Sequence, residues 1–122
     1  MKPLLTTLAL LASTLVARPT TEAQTHEGSY TVQDSLNAIR WASQKWGTSY
    51  WYLLKIARCE SGLRSDASNG QDFGLMQFAP GTFYEYARRI GETRSYWSPW
   101  ASANVASFMI GRLGLSYEWS CA

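Results

Sequence analysis

The sequence predicts an α+β protein, mostly helical, with one small β-hairpin. Apolar residues recur at helical spacing in the stretches that begin near Thr31, Ser49, Pro80 and Ser98. Between Leu63 and Gln77 that spacing disappears and turn residues accumulate. Asn69-Gly70 lies inside this stretch and is a strong turn signal, with room for a short strand on either side.

The chain has 122 residues, enough for one domain. Lys2 precedes a mainly apolar, uncharged run from Leu4 to Ala17, too short for a membrane span and suited to the core of a signal peptide. An N-terminal membrane anchor is the alternative reading. Cleavage after Ala17 or after Ala23 is compatible with the sequence, so residues 1–23 read as signal peptide and start of a leader. Residues 24–30 continue as a polar, flexible leader, and residues 31–122 form the domain.

Each element of the domain has its own local signals. Thr31 with Asp34 imitates a capping box, and Val32, Leu36, Ile39, Ala42 and Trp46 form a helical stripe ending near Gly47. A second helix starts at Ser49 or Tyr50 and carries Tyr52, Leu53, Ile56 and Ala57 toward Glu60. Gly62 is placed to stop it in the left-handed conformation that helix ends favour. After the hairpin, Pro80 suits a first helical turn, and a helix through Thr82 to Ile90 stops at Gly91. The last helix is capped by Ser98, opens with Pro99 and ends at Gly114.

Charge excludes one class of function. The full chain has formal charge +2, and removal of the leader at either site leaves it near neutral. No concentrated basic face of the kind that nucleic acid requires is visible, and Arg88-Arg89 reads as the solvated side of a helix. Cys59 and Cys121 are the only cysteines. In an exported chain such a pair points to a disulfide, the alternative being two separate buried thiols. Together with the lone His26 they make no metal-ligand set of usual spacing.

The residues that carry chemistry are concentrated between Ile56 and Thr82. Glu60 follows an apolar helical segment and sits at its C-terminal end, where the helix dipole disfavours a carboxylate. An acid in apolar surroundings keeps its proton near neutral pH, and a glycosidic oxygen needs such a proton to leave. Gly74-Leu75-Met76-Gln77 reads either as an edge strand running into a turn or as a substrate-facing segment. In the second reading Gly74 admits a close backbone approach and Gln77 supplies a lone amide.

In this order and spacing, Glu60-Ser61-Gly62, Asn69-Gly70, Gly74-Leu75-Met76-Gln77 and Pro80-x-Thr82 resemble the soluble lytic transglycosylase domain of bacterial peptidoglycan-cleaving enzymes. Cys59 beside Glu60, the Gly74 to Phe78 run and Trp119-x-Cys121 are similar to the resuscitation-promoting factors of the same lysozyme-like superfamily. The chain lacks the Ala-Tyr-Asn-type motif that completes the substrate groove of the longer transglycosylases.

The resemblance implies a lysozyme-like fold with Glu60 as catalytic acid, Ser61 orienting it, and a Cys59–Cys121 disulfide beside it. Gln77 and Phe78 would contact substrate. Tyr96 and Trp97 are groove candidates because they flank a loop and a helix start and because sugars pack on aromatic rings. Trp100 is another, and Trp119 is expected to pack over the disulfide.

The implied reaction is cleavage of the β-1,4 bond between N-acetylmuramic acid and N-acetylglucosamine by one glutamate, giving a 1,6-anhydro sugar. Two alternatives stay open: a lysozyme-type hydrolase using Asp66 or Asp72 as second acid, or a non-catalytic peptidoglycan-binding protein. The expected partner is the peptidoglycan strand, with no nucleic acid, no cofactor, no metal and no stable membrane insertion. The protein is expected to act as a monomer, secreted or periplasmic and associated with the cell wall.

Overall fold

A computed structural model describes residues 29–122. The expected signal peptide and most of the leader lie outside the described residues. Among the described residues four helices form the architecture: α1 (Val32–Trp46), α2 (Tyr50–Ser61), α3 (Pro80–Arg89) and α4 (Pro99–Leu113), followed by a 3₁₀ turn, Ser116–Glu118. This mostly helical arrangement is that of a lysozyme-like domain.

The local signals place the helix ends. Thr31 accepts a hydrogen bond from the Asp34 N–H at 3.0 Å, and Asp34 accepts one from the Thr31 N–H at 2.8 Å, so two of the N-terminal donors of α1 are satisfied reciprocally. Ser49 and Ser98 cap α2 and α4 in the same sense. Gly47, Gly62 and Gly114 close α1, α2 and α4 with φ of 73°, 66° and 68°. α3 begins at Pro80 with no side-chain cap and ends at Arg89, with Ile90 as its C-cap before Gly91.

α4 is the central element, buried at Pro99, from Ala101 through Ser107 and again at Met109. Its small residues let α1 approach closely with the face formed by Ser35, Ala38, Ile39, Ala42 and Ser43. The predicted stripe is offset from this face: Val32 is exposed and Trp46 half-buried, because capping places Val32 at the solvated first turn. Ser107 donates to the Ala42 carbonyl at 2.9 Å, and Thr48 donates to the Ser107 carbonyl at 3.0 Å.

A polar brace closes the far side of this contact. Trp46 Nε1 donates to Asn104, whose amide donates to Glu92, which also accepts from Arg94. Burial alone would raise the Glu92 carboxyl, but the hydrogen bonds from Arg94 and Asn104 and the Arg94 charge outweigh it and hold the group below its ordinary value.

The expected hairpin is reduced to two isolated antiparallel bridges, Ser68 to Phe73 and Phe73 to Phe78. Asn69 explains the reduction. Its side-chain oxygen accepts from the Gln71 and Asp72 N–H groups, turning the chain by local bonds in place of a ladder. The loop is fixed from beneath by the Met76 N–H donating to buried Ser102 of α4 at 3.0 Å.

Candidate active site

Glu60 sits in the last turn of α2, next to Ser61, the final helical residue. A carboxylate gains nothing from the helix dipole there, so tertiary structure must hold it. The Cys59–Cys121 disulfide, with Cα atoms 5.9 Å apart, brings the C-terminal segment to this helix end. A cleft results, with Glu60 on one side and Asp72, Gln77 and Phe78 of the loop on another. Ala79 and Thr82 at the start of α3 and Glu118, Trp119 and Ser120 complete its lining.

Burial pushes the Glu60 carboxyl above its ordinary value, a backbone hydrogen bond from Cys121 pulls it down, and the negative charge of Asp72 raises it again. The balance is upward. The group is therefore suited to delivering a proton to a poor leaving group and taking one back afterwards.

The structure brings Glu60, Gln77 and Phe78 together, but their side chains differ in availability. The Gln77 amide nitrogen donates to the Ala67 and Gly74 carbonyls at 3.0 and 2.9 Å, which uses both of its protons and leaves Oε1 as its acceptor. Gln77 itself has a φ of 54°, a conformation rare outside glycine, and these bonds help to hold it. Phe78 is 3% exposed and meets Phe83 and Trp119 edge-on, so it forms the floor of the cleft and not an open stacking face. Ser61 does not line the cleft: it is buried and donates back to the Ala57 carbonyl at 3.0 Å.

Tyr96 and Trp97 are not brought to the cleft. Tyr96 is 3% exposed, stacked on Phe73 at 5.2 Å and packed against Phe83 and Tyr84. Trp97 is half-buried against Phe73 and Tyr96. The reason is apolar: the Tyr96 and Trp97 rings of the loop before α4 pack against Phe73 of the 73–78 segment, and Tyr96 also against Phe83 and Tyr84 of α3. Trp100 likewise meets Trp41 edge-on at 6.0 Å, away from the cleft.

Gly74 is required for a related contact. Its φ is 84°, and a Cβ there would collide with the Tyr96 carbonyl oxygen, so the close approach is made by the protein's own backbone.

Asp66 is paired with Arg64 at 3.3 Å and lines a separate hollow with Tyr30 and Leu63. Of the two aspartates, Asp72 is the one that shares the cleft with Glu60, where Glu118 is a third carboxylate. Sequence reasoning missed Glu118 and Ser120. The signal was present, since a disulfide from Cys121 to Cys59 must bring the residues just before Cys121 close to Glu60. Among the described residues no group of three or more His, Cys, Asp or Glu side chains is arranged to hold a metal ion. No helix among them is long and apolar enough to cross a membrane.

A family model described as the transglycosylase SLT domain matches residues 37–122, which include every cleft residue. Searches of curated proteins and of solved structures returned no match.

Proposed function

The chain belongs to the transglycosylase SLT domain family, and from that premise we propose that it cleaves the β-1,4 bond between N-acetylmuramic acid and N-acetylglucosamine in peptidoglycan. Glu60 is the single catalytic carboxylate. The observation that carries this reading is Glu60 itself, which lines the cleft with its carboxyl raised above its ordinary value by burial.

The reaction proceeds in two stages. Glu60 donates its proton to the glycosidic oxygen as the bond to the anomeric carbon of the muramic residue breaks, and the glucosamine side leaves as an alcohol. The carbonyl oxygen of the muramic N-acetyl group attacks the same carbon, forming a cyclic cation opposite the Glu60 carboxylate. Glu60 then takes the proton of the muramic 6-hydroxyl, whose oxygen displaces the N-acetyl oxygen and closes a 1,6-anhydro ring. No water is consumed, and Glu60 ends protonated as it began.

Gln77 offers its Oε1 to the N-acetyl N–H, because its own protons are committed to the loop. Ser61 acts from behind the helix end, keeping the last turn wound through its bond to Ala57. The disulfide suits an oxidising location, so we place the protein outside the cytoplasm.

The test is release of soluble fragments from purified cell-wall sacculi by the protein and by Glu60→Gln. The variant should be slower by at least about a hundredfold. Equal release by both removes Glu60 from the mechanism.

One observation favours a second reading, hydrolysis with two acids. Asp72 lines the same cleft as Glu60, where it could activate water. Under that reading Asp72→Asn is inactive and the products carry ordinary reducing ends.

A further inference from the structure

Outside the cleft, α2 carries a second uneven surface. Trp51 is 73% exposed, and its ring meets that of Tyr50 edge-on at 5.0 Å. The Arg40 guanidinium of α1 lies 4.3 Å from the Tyr50 ring centre. Lys55 and Arg58 are exposed on the following turns. At 3.6 residues per turn, Trp51, Lys55 and Arg58 fall within about a sixth of the helix circumference and form one ridge about 10 Å long.

Glu60, about two and a half turns beyond Trp51, falls on the opposite side of the helix. It is also the only acidic residue of α2, so the ridge carries uncompensated positive charge. The ion pairs among the described residues are Arg64 with Asp66, Arg89 with Glu85 and Arg94 with Glu92, and neither Lys55 nor Arg58 takes part in them.

This combination selects a ligand chemistry. An indole face open to solvent accepts the C–H face of a sugar ring. An ammonium and a guanidinium one turn and two turns away accept carboxylates, the second of them bidentately. A polymer that alternates sugar rings with carboxylate-bearing side groups presents both at once. We propose that the Trp51–Lys55–Arg58 ridge, with Arg40 and Tyr50 at its end, is a second, non-catalytic binding surface for a peptidoglycan strand, gripping its sugars and stem-peptide carboxylates.

The choice of polymer rests on the cleavage reading above; the existence of the surface does not. Each exposed ion pair is individually weak. A strand or neighbouring strands engaged by ridge and cleft together raise the effective concentration of scissile bonds at Glu60 without any new contact in the cleft. The ridge should therefore matter on insoluble wall and be silent on short soluble fragments.

The experiment is cosedimentation of Glu60→Gln protein with purified sacculi, compared with the same protein carrying in addition either Trp51→Ala or the pair Lys55→Ser and Arg58→Ser. All three positions are exposed, and unchanged circular dichroism and melting of each variant verify the fold. Either change should weaken binding about fivefold to tenfold. Raised salt should weaken the parent more than the Lys55, Arg58 variant. Sacculi whose carboxylates have been methyl-esterified should bind the parent no better than that variant, and sacculi stripped of phosphate-bearing polymers should bind it undiminished.

In a Glu60 background, the ridge variants should cleave short soluble fragments at the parent rate and sacculi more slowly. Undiminished binding by both ridge variants overturns the proposal, as does loss of binding on stripping the phosphate polymers. If the unmutated protein cleaves nothing, the cleavage reading fails while cosedimentation still decides the ridge.

Discussion

The indole N–H of Trp119 donates to the main-chain carbonyl of Met76 at 2.8 Å, tying the C-terminal segment to the loop on the other side of the cleft. The Trp119 ring also meets Phe78 edge-on at 5.5 Å. The segment is thus held at two points, by Trp119 on the loop and by Cys121 on α2. Trp119→Phe keeps a ring and removes the donor, leaving the Met76 carbonyl unpaired. Urea unfolding should show a loss of about 1–3 kcal/mol, and turnover at saturating substrate should fall while KM changes little, because the walls of the cleft and not the sugar contacts have moved.

The second anchor has a larger effect. Closing a loop of 62 positions stabilises the folded state by about 4 kcal/mol on the chain-entropy relation. Cys121→Ser should lower the urea midpoint accordingly. It should also slow cleavage, since misplacement of a catalytic group by about 1 Å can cost about a hundredfold. Mass spectrometry of the native protein should show two hydrogens fewer than the reduced form, and two freely alkylated thiols in oxidising buffer would contradict the pairing.

Gly74 and Gly70 offer a matched comparison. Both have φ in the left-handed region, 84° and 91°, but a Cβ at Gly70 meets open space while one at Gly74 meets the Tyr96 carbonyl. Gly70→Ala should cost about 1 kcal/mol from backbone strain alone. Gly74→Ala should cost clearly more and lower the melting temperature further, because the collision is with backbone that cannot turn aside.

Glu60 should reduce stability in the service of its chemistry. Burial raises its folded-state pKa, with Asp72 adding to the rise. Stability from its protonated form is fully present below the unfolded value and lost as pH rises through the folded one. Glu60→Gln, neutral at every pH, should therefore be more stable than the parent at pH 7, the gain vanishing below about pH 4. Asp72→Asn removes a negative charge, lowers the pKa of Glu60 and should move the alkaline fall of kcat/KM to lower pH. A Glu60→Gln protein less stable at neutral pH contradicts this electrostatic account.

Helix boundaries were legible because they are set by local chemistry. Thr31 with Asp34, Ser98 with Pro99, and the glycines at 47, 62 and 114 act within a few residues of themselves. The helix carrying Glu60 was legible for the same reason. Tyr96 and Trp97 were not, since a loop lacks the periodicity that tells an inward from an outward ring, and both were needed to fill the space around Phe73. Gly74 was expected to let the backbone approach substrate; the close neighbour it has is the Tyr96 carbonyl, 22 positions away, a distance no local signal reports. Glu118 and Ser120 reach the cleft only through Cys121, so their placement was readable from the cysteine pairing and not from their own surroundings.

The identity of the cleavage product tests the central claim most directly. Peptidoglycan digested in heavy-oxygen water and analysed as muropeptides by mass spectrometry should yield species lighter by one water than hydrolytic products, with no heavy oxygen at the new muramic ends. Asp72→Asn should give the same products at a substantial fraction of the parent rate. Labelled reducing ends, together with an inactive Asp72→Asn, would contradict the single-carboxylate account and identify a two-acid hydrolase.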